Sequence, residues 1–255
     1  MAVTVAVGGR TVALDSSDGE WLELAGQRYR DFAVAGDGEA RIEYQLRRRS
    51  NRLGPASLAR ARRLGVELGR SSARGWGFSA SWRDGGRMMG VEGPCHTYPI
   101  DLLLPPLWYE LEPAGVLVHG VLLEIGGRGV VGIGPSGRGK STLARLAGER
   151  SLCDEIVAVV QRGQRLYASS LPFWAGRPGE CALDEILLLE HGLESRRVPL
   201  DPRVAMVELA RQVIWPPSPV RAAAALELVM ALASEVAVSR FPFRPEPEAL
   251  EVLAA

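Results

Sequence analysis

A chain of 255 residues is long enough to bury one large core or two small ones. Its 30 basic residues balance 30 acidic ones, which excludes a global field favouring nucleic acid or a membrane surface and leaves recognition to local features. Cys95, Cys153 and Cys181 have no Cys-x-x-Cys pair and no His cluster beside them, so neither a disulfide framework nor a zinc site is expected. No signal-peptide pattern opens the chain and no apolar run approaches the roughly 18 residues of a membrane span, which together point to a reducing cytoplasm.

From Ala2 to Gln45, short β-prone runs alternate with turn signals: Val3 to Val7, Thr11 to Leu14, Trp21 to Leu24, Tyr29 to Val34 and Arg41 to Gln45. Gly8-Gly9, Asp18-Gly19 and Gly36-Asp37-Gly38 separate them, and the pattern predicts an antiparallel meander. Arg47 to Arg70 carries eight arginines against the single acid Glu67, with a short helix expected near Pro55. This stretch reads either as a solvated basic face or as a dock for an acidic peptide or protein. Trp76 to Trp82 and Arg87 to Glu92 read as another strand pair. Pro105-Pro106 opens a short helical stretch, Leu107 to Leu111, that ends at Pro113. The domain boundary is placed here, with a β-rich region over 1–104 and a second domain over 105–255.

In the second domain Val116 to Ile125 is a long strand, Gly126 to Gly129 a tight turn, and Val130 to Ile133 a strand that runs into a glycine-rich loop. A short helix follows from Ser141 to Gly148. Leu152 to Val160 reads as the next apolar strand, with Asp154-Glu155 near its start, and Arg165 to Ala168 returns from the turn at Arg162-Gly163-Gln164. After an irregular stretch through Pro172-Phe173-Trp174, helices are expected over Leu183 to Leu189, Pro202 to Ile214 and Arg221 to Val238.

The pattern Gly-x-x-x-x-Gly-Lys-Ser spans Gly134 to Ser141, between a β-prone run and a competent helix start at Thr142-Leu143-Ala144. Gly134, Gly137 and Gly139 let backbone N–H groups of the loop, Ser136 and Arg138 included, turn inward around phosphates. The helix N-terminus adds its positive end at Lys140, Ser141 and Thr142. Lys140 bridges the outer phosphates and Ser141 supplies a hydroxyl to magnesium. Lys140 is also the only lysine of the chain, every other basic residue being Arg. A compact ammonium between phosphate oxygens is a role that the broad guanidinium fork does not fill, and the pattern predicts a site for a nucleoside triphosphate, ATP with magnesium.

Asp154 and Glu155 follow Lys140 closely enough to supply a carboxylate for the metal and another to accept a hydroxyl proton, or else form a surface acid pair at a strand end. His119 lies on the strand before the loop, either as a core histidine or as a member of the site. Arg138 and Arg177 are candidates to neutralise a transferring phosphoryl group, or are solvated. His96 and His191 have no supporting pattern.

Taken in order, His119-Gly120-Val121-Leu122-Leu123, the turn at Gly126 to Gly129, the loop Gly134 to Thr142 and Leu152-Cys153-Asp154-Glu155 resemble the catalytic domain of the HPr kinase/phosphorylase family. The similarity extends to its smaller relatives found beside peptide-modification genes such as those of lasso peptides. Leu171 to Gly176, Leu183 to His191 and the ending at Arg240-Phe241-Pro242-Phe243 are similar to the smaller relatives as well, so the resemblance covers Pro105 to Leu253.

It implies an α/β P-loop kinase domain of the HPr kinase / phosphoenolpyruvate carboxykinase type, with a β-rich N-terminal extension. The family's strand ends in two aspartates that serve magnesium and act as general base. That carries over to Asp154 and, with a longer arm, to Glu155, while the histidine of the family's hairpin carries over to His119. By the same resemblance Ser141 and Asp154 would hold Mg2+, the acceptor would be a serine or other hydroxyl of a small protein or peptide, and relatives often assemble as homo-oligomers. The glycine- and isoleucine-rich signature of the bifunctional enzymes is missing after the acidic strand, so the resemblance leaves open whether HPr is the acceptor and whether the reverse phosphorolysis occurs.

Two readings follow: an ATP-dependent kinase, or a nucleotide-binding switch in a biosynthetic complex that transfers nothing. A transporter-type ATPase needs a Leu-Ser-Gly-Gly-Gln signature that the chain lacks. A phosphoenolpyruvate carboxykinase needs a second lysine, and Lys140 stands alone.

Overall fold

The computed structural model describes residues 2–47, 65–173 and 176–255. It is mixed α/β with two sheets, and the chain divides into two compact units, Met1–Leu111 and Glu112–Ala255.

The first unit is built from β1 (Ala2–Val7), β2 (Arg10–Ser16), helix α1 (Gly19–Arg28), β3 (Ala40–Leu46), β4 (Val66–Leu68), β5 (Ser72–Gly75), β6 (Phe78–Arg83), β7 (Met88–Gly93) and helix α2 (Tyr98–Leu111). The sheet order is β1-β2-β3-β7-β6-β5-β4. It is not the antiparallel meander that the turn signals predict, because β2–β3 and β3–β7 pair in parallel.

The crossover that a parallel pair requires is α1, in the stretch expected as a strand at Trp21 to Leu24. Asp18 caps it, its carboxylate accepting from the Trp21 amide at 2.8 Å. Trp21 and Ala25, one turn apart, are both buried, and the Trp21 ring stacks on Tyr44 of β3 at 4.1 Å. Tyr29 to Val34 is likewise not a strand: Arg30–Phe32 forms a 3₁₀ turn.

Pro105 and Pro106 lie inside α2 and do not open it. A proline in a helix interior costs about 3 kcal/mol. Here Ile100, Leu103, Leu104 and Leu107 are all buried, and each contributes about 1.5–3 kcal/mol, so packing outweighs the lost hydrogen bonds. The helix expected near Pro55, and most of the basic stretch Arg47 to Arg70, lie outside the described residues.

The second unit runs β8 (Val116–Ile125), β9 (Arg128–Ile133), α3 (Lys140–Ala147), β10 (Ser151–Cys153), β11 (Ile156–Arg162), β12 (Arg165–Ser170), β13 (Glu180–His191), β14 (Val198–Pro199), α4 (Pro202–Gln212), α5 (Pro219–Glu235), β15 (Ala237–Phe243) and α6 (Glu248–Ala254). Gly126 and Gly127, at φ 60° and 78°, make the tight turn that returns β8 as β9 with its register set from Gly120↔Ile133 to Ile125↔Arg128.

Leu183 to Leu189, expected as helix, is the middle of β13, which pairs in parallel with β9 on one side and β15 on the other. Its Ile186 to Leu189 run is buried on both faces, as a central parallel strand requires. One face of the strands packs with α4 and α5 through Val118, Val131, Ile186, Leu209, Val229 and Leu232. The other packs with α3 and α6 through Val121, Leu187, Leu143, Phe241 and Leu250.

Glu185, buried on β13, is compensated by Arg197 at 2.8 Å and Arg128 at 3.7 Å. Arg197 also donates to the carbonyls of Val252 and Leu253, tying the end of α6 to the sheet.

Candidate functional site

Because β9, β13 and β15 run parallel, Ile133, His191 and Phe243 bring their C-terminal ends together. That rim is where open α/β sheets place their ligands. The Gly134 to Gly139 segment rises from it and enters α3 at Lys140.

Pro135 to Arg138 are exposed, whereas Gly134 and Lys140 are buried. The loop is held by its own groups: the Arg138 amide donates to Pro135 O at 3.3 Å and the Leu143 amide to Gly139 O at 2.8 Å. The Lys140 ammonium donates to Gly134 O at 2.6 Å and Pro135 O at 3.2 Å. Gly139 has φ 96° and a Cβ there would lie 2.7 Å from the Phe243 ring, so the helix starts on a residue that has to be glycine. Ser141 and Thr142 occupy the first turn of α3, and Thr142 Oγ1 accepts from Arg145 at 3.4 Å.

The predicted strand Leu152 to Val160 is interrupted. β10 ends at Cys153, β11 starts at Ile156, and Asp154-Glu155 form a bend between them. Both strands lie along β8, with Cys153 opposite Leu122 and Ile156 opposite His119. The Gly120 amide donates to Glu155 O at 3.1 Å, and the Cys153 thiol donates to Ile156 O at 3.3 Å. These bonds secure the bend but leave one atom over. Asp154 Oδ1 is buried and without a hydrogen-bond partner among the described residues, a state that costs about 1–3 kcal/mol, and more for a charged group.

Four expected residues fall within electrostatic reach of one another. Burial holds the His119 imidazole below its ordinary pKa; Lys140 adds to this, while Glu155 and Asp154 oppose it. Burial also depresses the Lys140 ammonium, against an opposing contribution from Glu155. His119 shares its strand parity with Leu117 and Val121, and so lies on the α3 side of the sheet.

Arg177 is directed elsewhere: its guanidinium donates to Glu149 O at 3.3 and 3.2 Å and lies 3.8 Å from Glu124. His191, which sequence alone gave no role, touches the loop, Nε2 lying 2.8 Å from Gly137 O. The signal that would have found it is the apolar run Ile186 to Leu189 closed by Gly192, which also fits a buried strand.

Among the described residues no group of three or more His, Cys, Asp or Glu side chains is arranged to hold a metal by itself. Magnesium rarely uses such a cage; it takes one or two carboxylates and completes its shell with phosphate oxygens and water. Asp154, with its unpartnered oxygen, and the Ser141 hydroxyl fit that donor set. No helix among the described residues is long and apolar enough to cross a membrane.

No protein-family model matches the sequence, and no curated protein matches it. Among solved structures, the Hpr(Ser) kinase/phosphatase from Coxiella burnetii shows a distant structural similarity over 54% of this chain and 93% of that one, with a TM-score of 0.31 and 14% identity. Similarity at that level transfers neither activity nor site residues.

Proposed function

We propose that the chain is a P-loop kinase of the HPr-kinase-like type that binds ATP with Mg2+ and passes the γ-phosphoryl group to a serine or other hydroxyl of a small protein or peptide. The observation that carries this reading is the pairing of a glycine loop, with the chain's only lysine inside it, and a buried Asp154 oxygen without a partner among the described residues, at the bend between β10 and β11 along β8. The loop offers donors to an anion and Asp154 offers an acceptor to a cation or a hydroxyl proton, the two halves that in-line phosphoryl transfer requires.

In this reading the amides of Ser136 to Thr142 face phosphate oxygens, and the Arg138 amide and the Lys140 ammonium exchange their bonds within the loop for bonds to them. Asp154 accepts the proton of the acceptor hydroxyl as it attacks, and Glu155 and His119 set the charge around it. Ser141 and Asp154 would hold magnesium, which when bound supplies charge neutralisation on the phosphates.

The test is to incubate the protein with ATP, magnesium and the small proteins encoded by neighbouring genes, and to look by mass spectrometry for the gain of one phosphate. ATP bound without any transfer to those acceptors would favour the switch reading instead.

A further inference from the structure

The loop is shaped from beneath by two residues that face each other across a strand pair. In the parallel pairing of β13 with β15, His191 is the register partner of Phe243. The next backbone amide, that of Gly192, donates to Phe243 O at 3.1 Å, so the two strand ends are tied where they meet the loop. Phe243 fills the space under Gly139. His191 reaches Gly137, its Nε2 lying 2.8 Å from the carbonyl oxygen. The carbonyl only accepts, so the ring donates from Nε2–H and carries its proton there.

A peptide unit is planar and trans, with its C=O and N–H pointing in opposite directions. Holding Gly137 O towards His191 therefore turns the Arg138 N–H towards the opposite side of that peptide, where it donates to Pro135 O. Rotating this peptide would release both bonds and redirect the Arg138 N–H.

We infer that His191 is a positioning residue of the phosphate loop: by donating to Gly137 O it fixes the Gly137–Arg138 peptide with its N–H facing the anion position, and so sets the affinity for the phosphates of a nucleotide. The nucleotide part rests on the function proposed above; the loop geometry does not.

The experiment compares wild type, His191→Ala and His191→Gln, the last keeping a side-chain N–H donor of similar reach. Amide exchange is followed by NMR without nucleotide, and ATP affinity by calorimetry. In His191→Ala the Arg138 amide should exchange about five- to ten-fold faster and ATP bind weaker by a similar factor, the effect of one hydrogen bond. The amides of Val130 to Ile133 should keep wild-type protection, and His191→Gln should recover most of both losses.

In turnover with an acceptor, the KM for ATP should rise while kcat changes less than about two-fold, as for an interaction made equally in the ground and transition states. Unchanged Arg138 exchange in His191→Ala, loss of protection spreading through β9, or a Gln variant no better than Ala would each overturn the inference. A wild-type protein that fails to bind ATP, while His191→Ala still loosens Arg138 and His191→Gln restores it, would support the brace and reject the nucleotide reading.

Discussion

The sheet of the second unit releases its backbone at two places near each other, and they differ in how their polar groups are satisfied. After β9 the chain closes into a loop that binds part of itself, Lys140 donating to Gly134 O and Pro135 O and the Arg138 amide to Pro135 O. Between β10 and β11 it bends at Asp154-Glu155. There Gly120 and Cys153 satisfy two carbonyls, yet Asp154 Oδ1 has no hydrogen-bond partner among the described residues. A satisfied loop persists by itself; an unsatisfied buried carboxylate is a cost that folding alone does not explain. The contrast teaches that internal bonds hold the shape of the first place, while the second carries a cost that the ligand of the proposed function would offset.

The sharpest way to break that comparison is Asp154→Asn, which keeps the shape and removes the charge. Phosphoryl transfer should fall by about 10²–10⁴-fold, the range for a lost general base, with ATP affinity little changed. The thermal midpoint should hold or rise, because among the described residues Oδ1 has no hydrogen bond to lose. Transfer at the wild-type rate would remove Asp154 from the chemistry, and a midpoint lowered by several degrees would make the carboxylate structural.

Gly139→Ala tests the loop's side of the contrast. A residue with Cβ at φ 96°, 2.7 Å from the Phe243 ring, combines left-handed strain with overpacking, about 2–4 kcal/mol in all. Denaturant unfolding should show that loss, and a neutral result would mean that Phe243 does not fix the helix start. Lys140→Ala should weaken ATP about 30- to 100-fold, the worth of a charged hydrogen-bonding group. Lys140→Arg should recover little, since a planar fork does not fit where the ammonium sits. Full recovery by Arg would show that only the charge matters.

These two places were not equally legible in the sequence. The loop was, because glycine spacing, a lone lysine and a helix start are all local. So was the hairpin of β8 and β9, which Gly126-Gly127 announces. The bend at Asp154-Glu155 was not: the run Leu152 to Val160 is apolar enough to pass as one strand, and what breaks it is pairing along β8, a tertiary fact.

The Leu and Glu of β13 favour a helix, but propensity is overridden where a strand is buried on both faces. His191 is hidden with it, since its contact with Gly137 exists only because β13 is a strand ending beside the loop. The Trp21 and Leu24 of α1 suit a strand by composition, and only the cap at Asp18 marks the helix start.

The smallest expected effect concerns the residue that secures the bend. Cys153 is fully buried, and burial pushes its thiol up to about 12, with the nearby Asp154 charge adding to the rise and backbone hydrogen bonds opposing it. A thiol raised that far stays protonated at pH 8, so it keeps donating to Ile156 O and supplies almost no thiolate for alkylation. Iodoacetamide at pH 8 should therefore leave Cys153 unmodified in the folded protein and label it only after denaturation, as peptide mass spectrometry would show. Bound nucleotide should not change that result, because the bend holds without it. Rapid labelling of Cys153 in the native state would mean that the bend opens, and would leave the Asp154 oxygen exposed to water instead of buried and waiting for a partner.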